Sequence, residues 1–341
     1  MITCAGLGMG NASRVCAIIE ALHQKAIKEN KSIEFHVLSW GAGHLFLKDY
    51  KLTSDIYFNL IKIQGYGNNK GLSAFIRNYL KNTQTIKVLI KEFNPDLLIL
   101  DSDYHFLAYF QLNIPRISIN QASDVLERIP LTNYRPQTLS EKLMLFCREE
   151  LDSFFQKIIS SKVLVPSFSV DSKGDQNDKR IKIPLIVREE FLAPKNDSVP
   201  NSIGVLLSGS EIDKDAFLKL KKEHNIQVIT PGQDKTSLLS HAEVLDKFDI
   251  IFTQGGLSSI SEVIAREKFL VVFPIHNHPE QIVNALEVER LGVGMKSSLR
   301  DLDDFDDLFK FILQKKDKAR RDSVDCTGAQ KAAEIMFHYF Q

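Results

Sequence analysis

Apolar runs of the β type alternate along the chain with stretches whose apolar positions recur at helical spacing. In the first half the runs are Ile33–Ser39, Asp96–Leu100, Arg116–Ile119 and Lys162–Val165. Helical patterns over Ala12–Glu29, Leu72–Glu92 and Leu139–Ile159 lie between or beside them. In the second half the runs are Ile203–Ser208, Gln227–Thr230, Asp249–Thr253 and Leu270–Pro274. Short apolar strands separated by helices are the pattern of parallel sheets covered by helices. An α/β fold follows, and two open sheets accommodate the elements more easily than one.

Between the two sets, residues 167–202 are rich in Pro, Asp, Asn, Ser and charge, with one strand-like run at Ile181–Val187. Such a composition suits a hinge between domains, with the boundary near Arg188–Ser202. No repeat of 20 to 50 residues is evident.

Composition narrows the classes. At 341 residues, 44% hydrophobic, the chain is long enough for two cores. Forty-three basic residues balance forty-three acidic ones, so no global field argues for nucleic acid. No window approaches the ~20 apolar residues of a spanning helix. The four cysteines, Cys4, Cys16, Cys147 and Cys326, lack metal-type spacing and fit free thiols of a reducing compartment. A cytoplasmic protein is expected, compatible with peripheral contact at the inner face of a membrane.

Two stretches carry chemistry. The first, "GLGMGNASR" at residues 6–14, is a glycine turn leading into a helix. Glycines let backbone approach a ligand closely, and the helix start offers free N–H groups to an anion. The spacing Gly-x-Gly-x-Gly differs from the dinucleotide fingerprint, and no acidic residue ends the second strand at Ser39. The second, residues 249–295, reads as strand, Gly255-Gly256-x-Ser258-Ser259 turn, helix, strand ending in Pro274, loop and helix. Its glycines, hydroxyls and helix N–H groups suit a diphosphate. Glu262, one turn into the helix, suits two ribose hydroxyls, and Glu280 and Gln281 offer partners for a sugar.

The motifs "GGLSSISE", "VVFP" and "EQIVNA", followed by Gly292 and Gly294, resemble the C-terminal half of the GT-B glycosyltransferases. The likeness is to the branch containing the peptidoglycan-precursor N-acetylglucosaminyltransferase and the macrolide and glucuronosyl transferases. The resemblance implies two Rossmann-like doubly wound domains facing across a cleft. It implies that Gly255, Gly256, Ser258 and Ser259 hold a diphosphate and Glu262 the ribose. Glu280, Gln281 and Asn284 then contact the sugar or lock its loop, which His278 helps to shape. Ser208, Gly209 and Ser210 would supply a second phosphate loop, and residues 230–233 the base loop. The implied division is 1–190, joined by a final helix at 326–341, and 191–325.

The N-terminal half resembles a bacterial and archaeal subgroup of the same fold, through "GLGMGNASR", "NPDLLILDSDY", "IPRISINQ" and the hinge-like "IPLIVREEF". Gly8 and Gly10 would then touch the diphosphate. The subgroup keeps a His after the third glycine as general base, and this chain has Asn11. An amide takes no proton at neutral pH, so Asn11 orients the acceptor at most. Asp103 and His105 are the next candidates, since they follow a buried strand at its C-terminal edge. Asp101 matches a family aspartate and is an alternative base or a support for the glycine loop.

Asp101-Ser102-Asp103 imitates an Asp-x-Asp metal motif, but in the half opposite the donor motifs; with His276 and His278 also lacking ligating company, no metal is expected. No cofactor is expected beyond the donor. Lys62–Lys81 mixes basic, glycine and aromatic residues and reads as an acceptor-facing flap, a membrane-touching flap or a packed amphipathic helix. The function expected is an inverting glycosyltransferase that uses a nucleotide sugar, a UDP-sugar by resemblance. Its acceptor is left open between a glycan, a lipid-linked sugar and a small molecule. A nucleotide-sugar hydrolase or 2-epimerase of the same fold is an alternative. So is a non-catalytic nucleotide-sugar-binding partner subunit that has lost its base.

Overall fold

The computed structural model describes the chain except residues 7, 67–70, 104, 111, 171–178, 207–216, 218–225, 230–240, 320–323 and 341. Ser208, Gly209, Ser210 and the expected base loop at 230–233 therefore lie outside the described residues.

The chain forms two compact units. Unit 1 comprises Met1–Gln121, Asp152–Pro184 and Thr327–Gln341; unit 2 comprises Ala122–Leu151 and Leu185–Cys326. Residues 122–151, expected with the N-terminal half, thus pack in unit 2. The reason is visible locally: Val125 and Tyr134 share a buried cluster with Val283, flanked by Ile129, Ile282 and Leu286.

Unit 1 holds a seven-stranded sheet built from β1 (Ile2–Cys4), β2 (His36–Ser39), β3 (Asn59–Lys62), β4 (Leu98–Asp101), β5 (Arg116–Ile119), β6 (Lys162–Pro166) and β7 (Arg180–Ile183). The order is β3-β2-β1-β4-β5-β6-β7 and every pairing is parallel. Central strands such as β4 are buried along their whole length, which is why they read as unbroken apolar runs. The helix Gly10–Lys28 buries Val15, Ile18, Ile19 and Leu22, positions three to four apart that form one face. The helix Gly328–Phe337 packs on it. Leu38, Ile86, Leu98, Leu100 and Tyr109 share one core cluster.

Unit 2 holds β8 (Ile203–Leu206), β9 (Gln227–Ile229), β10 (Ile250–Thr253), β11 (Phe269–Val272) and β12 (Gly294–Lys296), in the order β12-β11-β10-β8-β9, again all parallel. Its core joins Val205, Phe252, Val271 and Phe273 to Phe305 and Ile312.

In each sheet the first strand is flanked by strands that run off in opposite directions, β1 between β2 and β4, and β8 between β9 and β10. The crevice outside the carboxyl ends at such a point is where open α/β sheets take ligands. The two sequence motifs follow β1 and β10, so each occupies such a position in its own unit.

The helical pattern over Leu139–Ile159 is broken in the structure into Leu139–Leu145, a π-turn at Phe146–Glu150 and Leu151–Ile159. All four cysteines are among the described residues, and none forms a disulfide. Among the described residues no helix is long and apolar enough to cross a membrane.

Candidate functional site

In unit 1 the glycine turn leaves β1 with its first glycine pressed against Trp40: a Cβ on Gly6 would lie 1.7 Å from the Trp40 carbonyl oxygen. Gly8 has nothing within 4 Å of a Cβ position, so that side of the turn is open to a ligand. The helix Gly10–Lys28 begins without a side-chain cap and without an acidic residue in its first turn. Its N-terminal field is positive.

Arg14 of the same helix donates from Nε to Asp101 Oδ2 at 2.7 Å and from Nη2 to Oδ1 at 2.6 Å, with Asp101 fully buried. The Asp101 backbone oxygen also accepts the Ala5 N–H at 3.1 Å. Asp101 therefore anchors the turn. Arg14 Nη2 further donates to Asn11 Oδ1 at 3.2 Å. Because a guanidinium only donates, this contact fixes the amide orientation and turns the Asn11 NH2 away from Arg14.

Ser102 adopts a φ of 48°, in the left-handed region, and sends the two flanking aspartates to different partners. Asp103 Oδ1 accepts from the His105 backbone N–H at 2.8 Å and from His105 Nδ1 at 2.5 Å. Oδ2 accepts from the Tyr109 hydroxyl at 2.5 Å. Burial alone would raise the Asp103 carboxyl; the adjacent His105, with hydrogen bonds from His105, Thr3 and Tyr109, outweighs it and holds the group below its usual range. An ionised carboxylate only accepts, so His105 carries a proton on Nδ1. Its Nε2 meets the Tyr66 hydroxyl, which in turn accepts from Asn82 Nδ2 at 2.9 Å. The four side chains form one line, Asn82 to Tyr66 to His105 to Asp103, with Tyr79 stacked on the imidazole at 5.4 Å. Burial pushes the Tyr66 phenol up to about 12, against the opposing bond from Asn82.

With Asp101 committed to Arg14 and Asp103 to His105 and Tyr109, the Asp-x-Asp triplet does not present two carboxylates to one point. Among the described residues no three His, Cys, Asp or Glu side chains gather as a metal group.

In unit 2 the two glycines after β10 do different work. A Cβ on Gly255 would lie 2.4 Å from the Gln281 carbonyl oxygen, so Gly255 lets the helix Pro279–Leu291 pack against the turn. Gly256 has nothing within 4 Å of a Cβ position and caps the helix Leu257–Ala265 without a side-chain bond, and a helix start of this kind suits an anion. Ser259 is buried in the first turn and Ser258 is half-buried beside it.

Asn284 is fully buried, donates to the Gly255 carbonyl at 2.9 Å and accepts from Arg128 at 2.9 Å. It locks the loop. Gln281 Oε1 accepts the Ile275 N–H at 3.0 Å and ties down the loop before the helix. Glu280, in the first turn of that helix, is half-buried. Glu262 Oε1 accepts from Arg188 Nη2 at 3.3 Å, and Arg188 also pairs with Glu190 at 2.5 Å.

His278 caps the helix Pro279–Leu291 and its Nε2 takes a bond from Arg148 Nη1 at 2.6 Å. Burial first, and the Arg148 charge second, lower His278 to about 4. The ring is neutral at pH 7 with its proton on Nδ1, and that atom is buried without a partner. Thr253 Oγ1, Gln254 Nε2 and Asn277 Oδ1 are likewise buried without partners among the described residues. Such atoms at a strand end and its facing loop call for a ligand or water.

The sequence profile of glycosyl transferase family 1 matches residues 1–314. The chain belongs to this family. No curated protein matches the sequence. Among solved structures, MurG of Acinetobacter baumannii superposes with a TM-score of 0.57 at 14% identity, covering 99% of each chain. LpCGTa in complex with UDP gives 0.62 at 11% identity, covering 100% of this chain and 99% of the other. A putative UDP-N-acetylglucosamine 2-epimerase from Listeria monocytogenes gives 0.58 at 12%, covering 99% and 96%. At these identities the likeness is one of fold, the GT-B fold.

The family motifs led to Gly255, Gly256, Glu262, Gln281 and Asn284. Arg14 and Arg188 lie inside the quoted motifs "GLGMGNASR" and "IPLIVREEF", but the motifs did not lead to Tyr66, Asn82 and Tyr109, or to Arg128 and Arg148. Tyr66 falls in the Lys62–Lys81 stretch whose aromatic and glycine content marks it in the sequence; Arg128 and Arg148 carry no sequence signal of their own.

Proposed function

We propose that this glycosyltransferase-family chain is an inverting enzyme. It takes a sugar from a nucleoside diphosphate donor, a UDP-sugar, bound by unit 2 and passes it to an acceptor hydroxyl. The observation that supports it most is the helix start at Gly256, which has no side-chain cap, with Glu262 held by Arg188 one turn on. The diphosphate lies at that helix start with Ser258 and Ser259, the ribose on Glu262, and the sugar near Glu280 and His278. Likeness to a structure in complex with UDP favours this nucleotide.

The acceptor oxygen attacks the anomeric carbon as the bond to the diphosphate breaks, and the bonding pair leaves with the diphosphate, stabilised by backbone N–H groups and the helix field. The acceptor proton passes to the Tyr66 oxygen while Tyr66 hands its own proton to His105 Nε2, and Asp103 stabilises the imidazolium. Asn11 donates to the acceptor, and Asp101 with Arg14 positions Asn11. No cofactor takes part beyond the donor.

A nucleotide-sugar 2-epimerase is the second reading, favoured by the likeness to the Listeria structure. Incubation of the purified chain with UDP-sugars separates the two. Transfer requires UDP release that depends on an added acceptor; epimer formation, or equal release without acceptor, rejects it. Failure to turn over any donor with any acceptor would favour a non-catalytic subunit.

A further inference from the structure

Two asparagines one turn apart on the helix Gly71–Phe93, Asn78 and Asn82, hold the segment that carries Tyr66. Asn78 Nδ2 donates to the Gly65 carbonyl at 2.9 Å. Asn82 is 1% exposed and accepts the Gln64 N–H on Oδ1 at 2.9 Å. Its Nδ2 donates to the Gln64 carbonyl at 3.0 Å and to the Tyr66 hydroxyl at 2.9 Å. A backbone N–H only donates and a backbone carbonyl only accepts, so the two bonds to Gln64 fix the orientation of the amide. The NH2 group, and not the oxygen, therefore faces Tyr66.

That orientation gives the Tyr66 proton a direction. Because Asn82 donates to it, the phenol oxygen accepts on that side, and its own proton points to His105 Nε2. His105 Nδ1 directs its proton at the Asp103 carboxylate, which leaves Nε2 as the acceptor. A carboxylate at position 82 would take the Tyr66 proton instead. Burial raises the Tyr66 phenol, and the bond from Asn82 works against that rise.

We propose that Asn82 is a positioning residue that sets the direction of proton travel through Tyr66, from the acceptor hydroxyl to His105, and supports the charge that gathers on the phenol oxygen. This role rests on Tyr66 and His105 relaying the acceptor proton in the transfer described above. The acceptor O–H bond breaks as its proton joins the Tyr66 oxygen, and the Tyr66 O–H bond breaks as its proton joins His105 Nε2. Asn82 gives up no proton. Asn78 bonds the backbone of the same segment and takes no part in the relay.

The test joins steady-state kinetics of Asn82→Ala, Asn82→Asp, Asn78→Ala and Tyr66→Phe to the imidazole 15N spectrum of His105, assigned by its loss in His105→Gln. The wild-type ring should carry its proton on Nδ1 and show Nε2 unprotonated and hydrogen-bonded. In Asn82→Asp the Nε2 signal should move to that of a nitrogen without a donor, as Tyr66 turns to the new carboxylate. This readout needs no substrate. Asn82→Ala should lower kcat about tenfold or more at unchanged donor KM, the range for one hydrogen bond to a charged group. Asn82→Asp, though closer in shape, should lower it further, whereas a role limited to holding Gln64 predicts the reverse order. Asn78→Ala should keep kcat close to the wild type. In a Tyr66→Phe background Asn82→Ala should add no loss, because the two act as a unit. Circular dichroism and melting confirm that each variant is folded; if Asn82→Asp does not fold, Asn82→Ala with and without Tyr66→Phe decides. An Asn82→Ala loss that persists in full on Tyr66→Phe, an unchanged kcat in Asn82→Ala, or an unchanged His105 spectrum in folded Asn82→Asp overturns the role of Asn82 and leaves the relay standing. Unchanged kcat in Tyr66→Phe removes the relay, and this role with it.

Discussion

Asn11 directs its amide oxygen at the Arg14 guanidinium, 3.2 Å from Nη2, and so presents only its NH2 group elsewhere. The residue where the resembled subgroup keeps a histidine is therefore a fixed donor. Asn11→His should not raise kcat in steady-state kinetics, because the proton is taken at Tyr66 and His105. A clear gain in turnover would mean that position 11 had lost the base.

The relay gives a second prediction. Tyr66→Phe, His105→Gln and Asp103→Asn should each lower kcat, on the order of a hundredfold or more, the usual range for general acid–base groups. UDP affinity measured by calorimetry should stay as in the wild type. The Tyr66 phenol, held near 12 by burial, keeps its proton at neutral pH and so always has one to pass to His105.

Much of the fold was legible because central strands such as β4 and β10 are buried on both faces and so contain little but apolar residues. The runs at Arg116–Ile119 and Lys162–Val165 match β5 and β6 to within a residue. The strand-like run at Ile181–Val187 overlaps β7, while β3 is only partly buried and β12 has three residues, so neither shows an apolar run. The assignment of residues 122–151 to unit 2 depends on contacts such as Val125 with Val283, which no local pattern encodes. The Gly255–Glu262 motif was legible because its glycines and glutamate are close in sequence. The relay was not, since Tyr66 and His105 are 39 residues apart and meet only through the fold.

The Arg14–Asp101 pair predicts a stability effect. Asp101→Asn leaves a buried guanidinium uncompensated and should destabilise unit 1 by about 3–5 kcal/mol, read from chemical denaturation. Replacing both partners, Arg14→Met with Asp101→Leu, should recover most of that loss, because the cost lies in the unpaired charge.

His278 predicts a pH dependence. In the folded chain it titrates at about 4, and in the unfolded chain near its ordinary 6.5. Between these values the unfolded state binds more protons, so stability rises with pH across the window. The contribution is complete above 6.5 and is lost as pH falls toward 4. In thermal melts the drop in Tm from pH 7 to pH 5 should be smaller for His278→Gln than for the wild type.

The central claim is that unit 2 holds a nucleoside diphosphate donor through the helix start at Gly256 and the Glu262 carboxylate. Calorimetric titration of UDP into the wild type and into folded Glu262→Gln tests it most directly. The account predicts saturable binding to the wild type and at least about tenfold weaker binding to the variant, the loss of one charged hydrogen-bond partner. No binding to the wild type, or unchanged affinity in the variant, would contradict it.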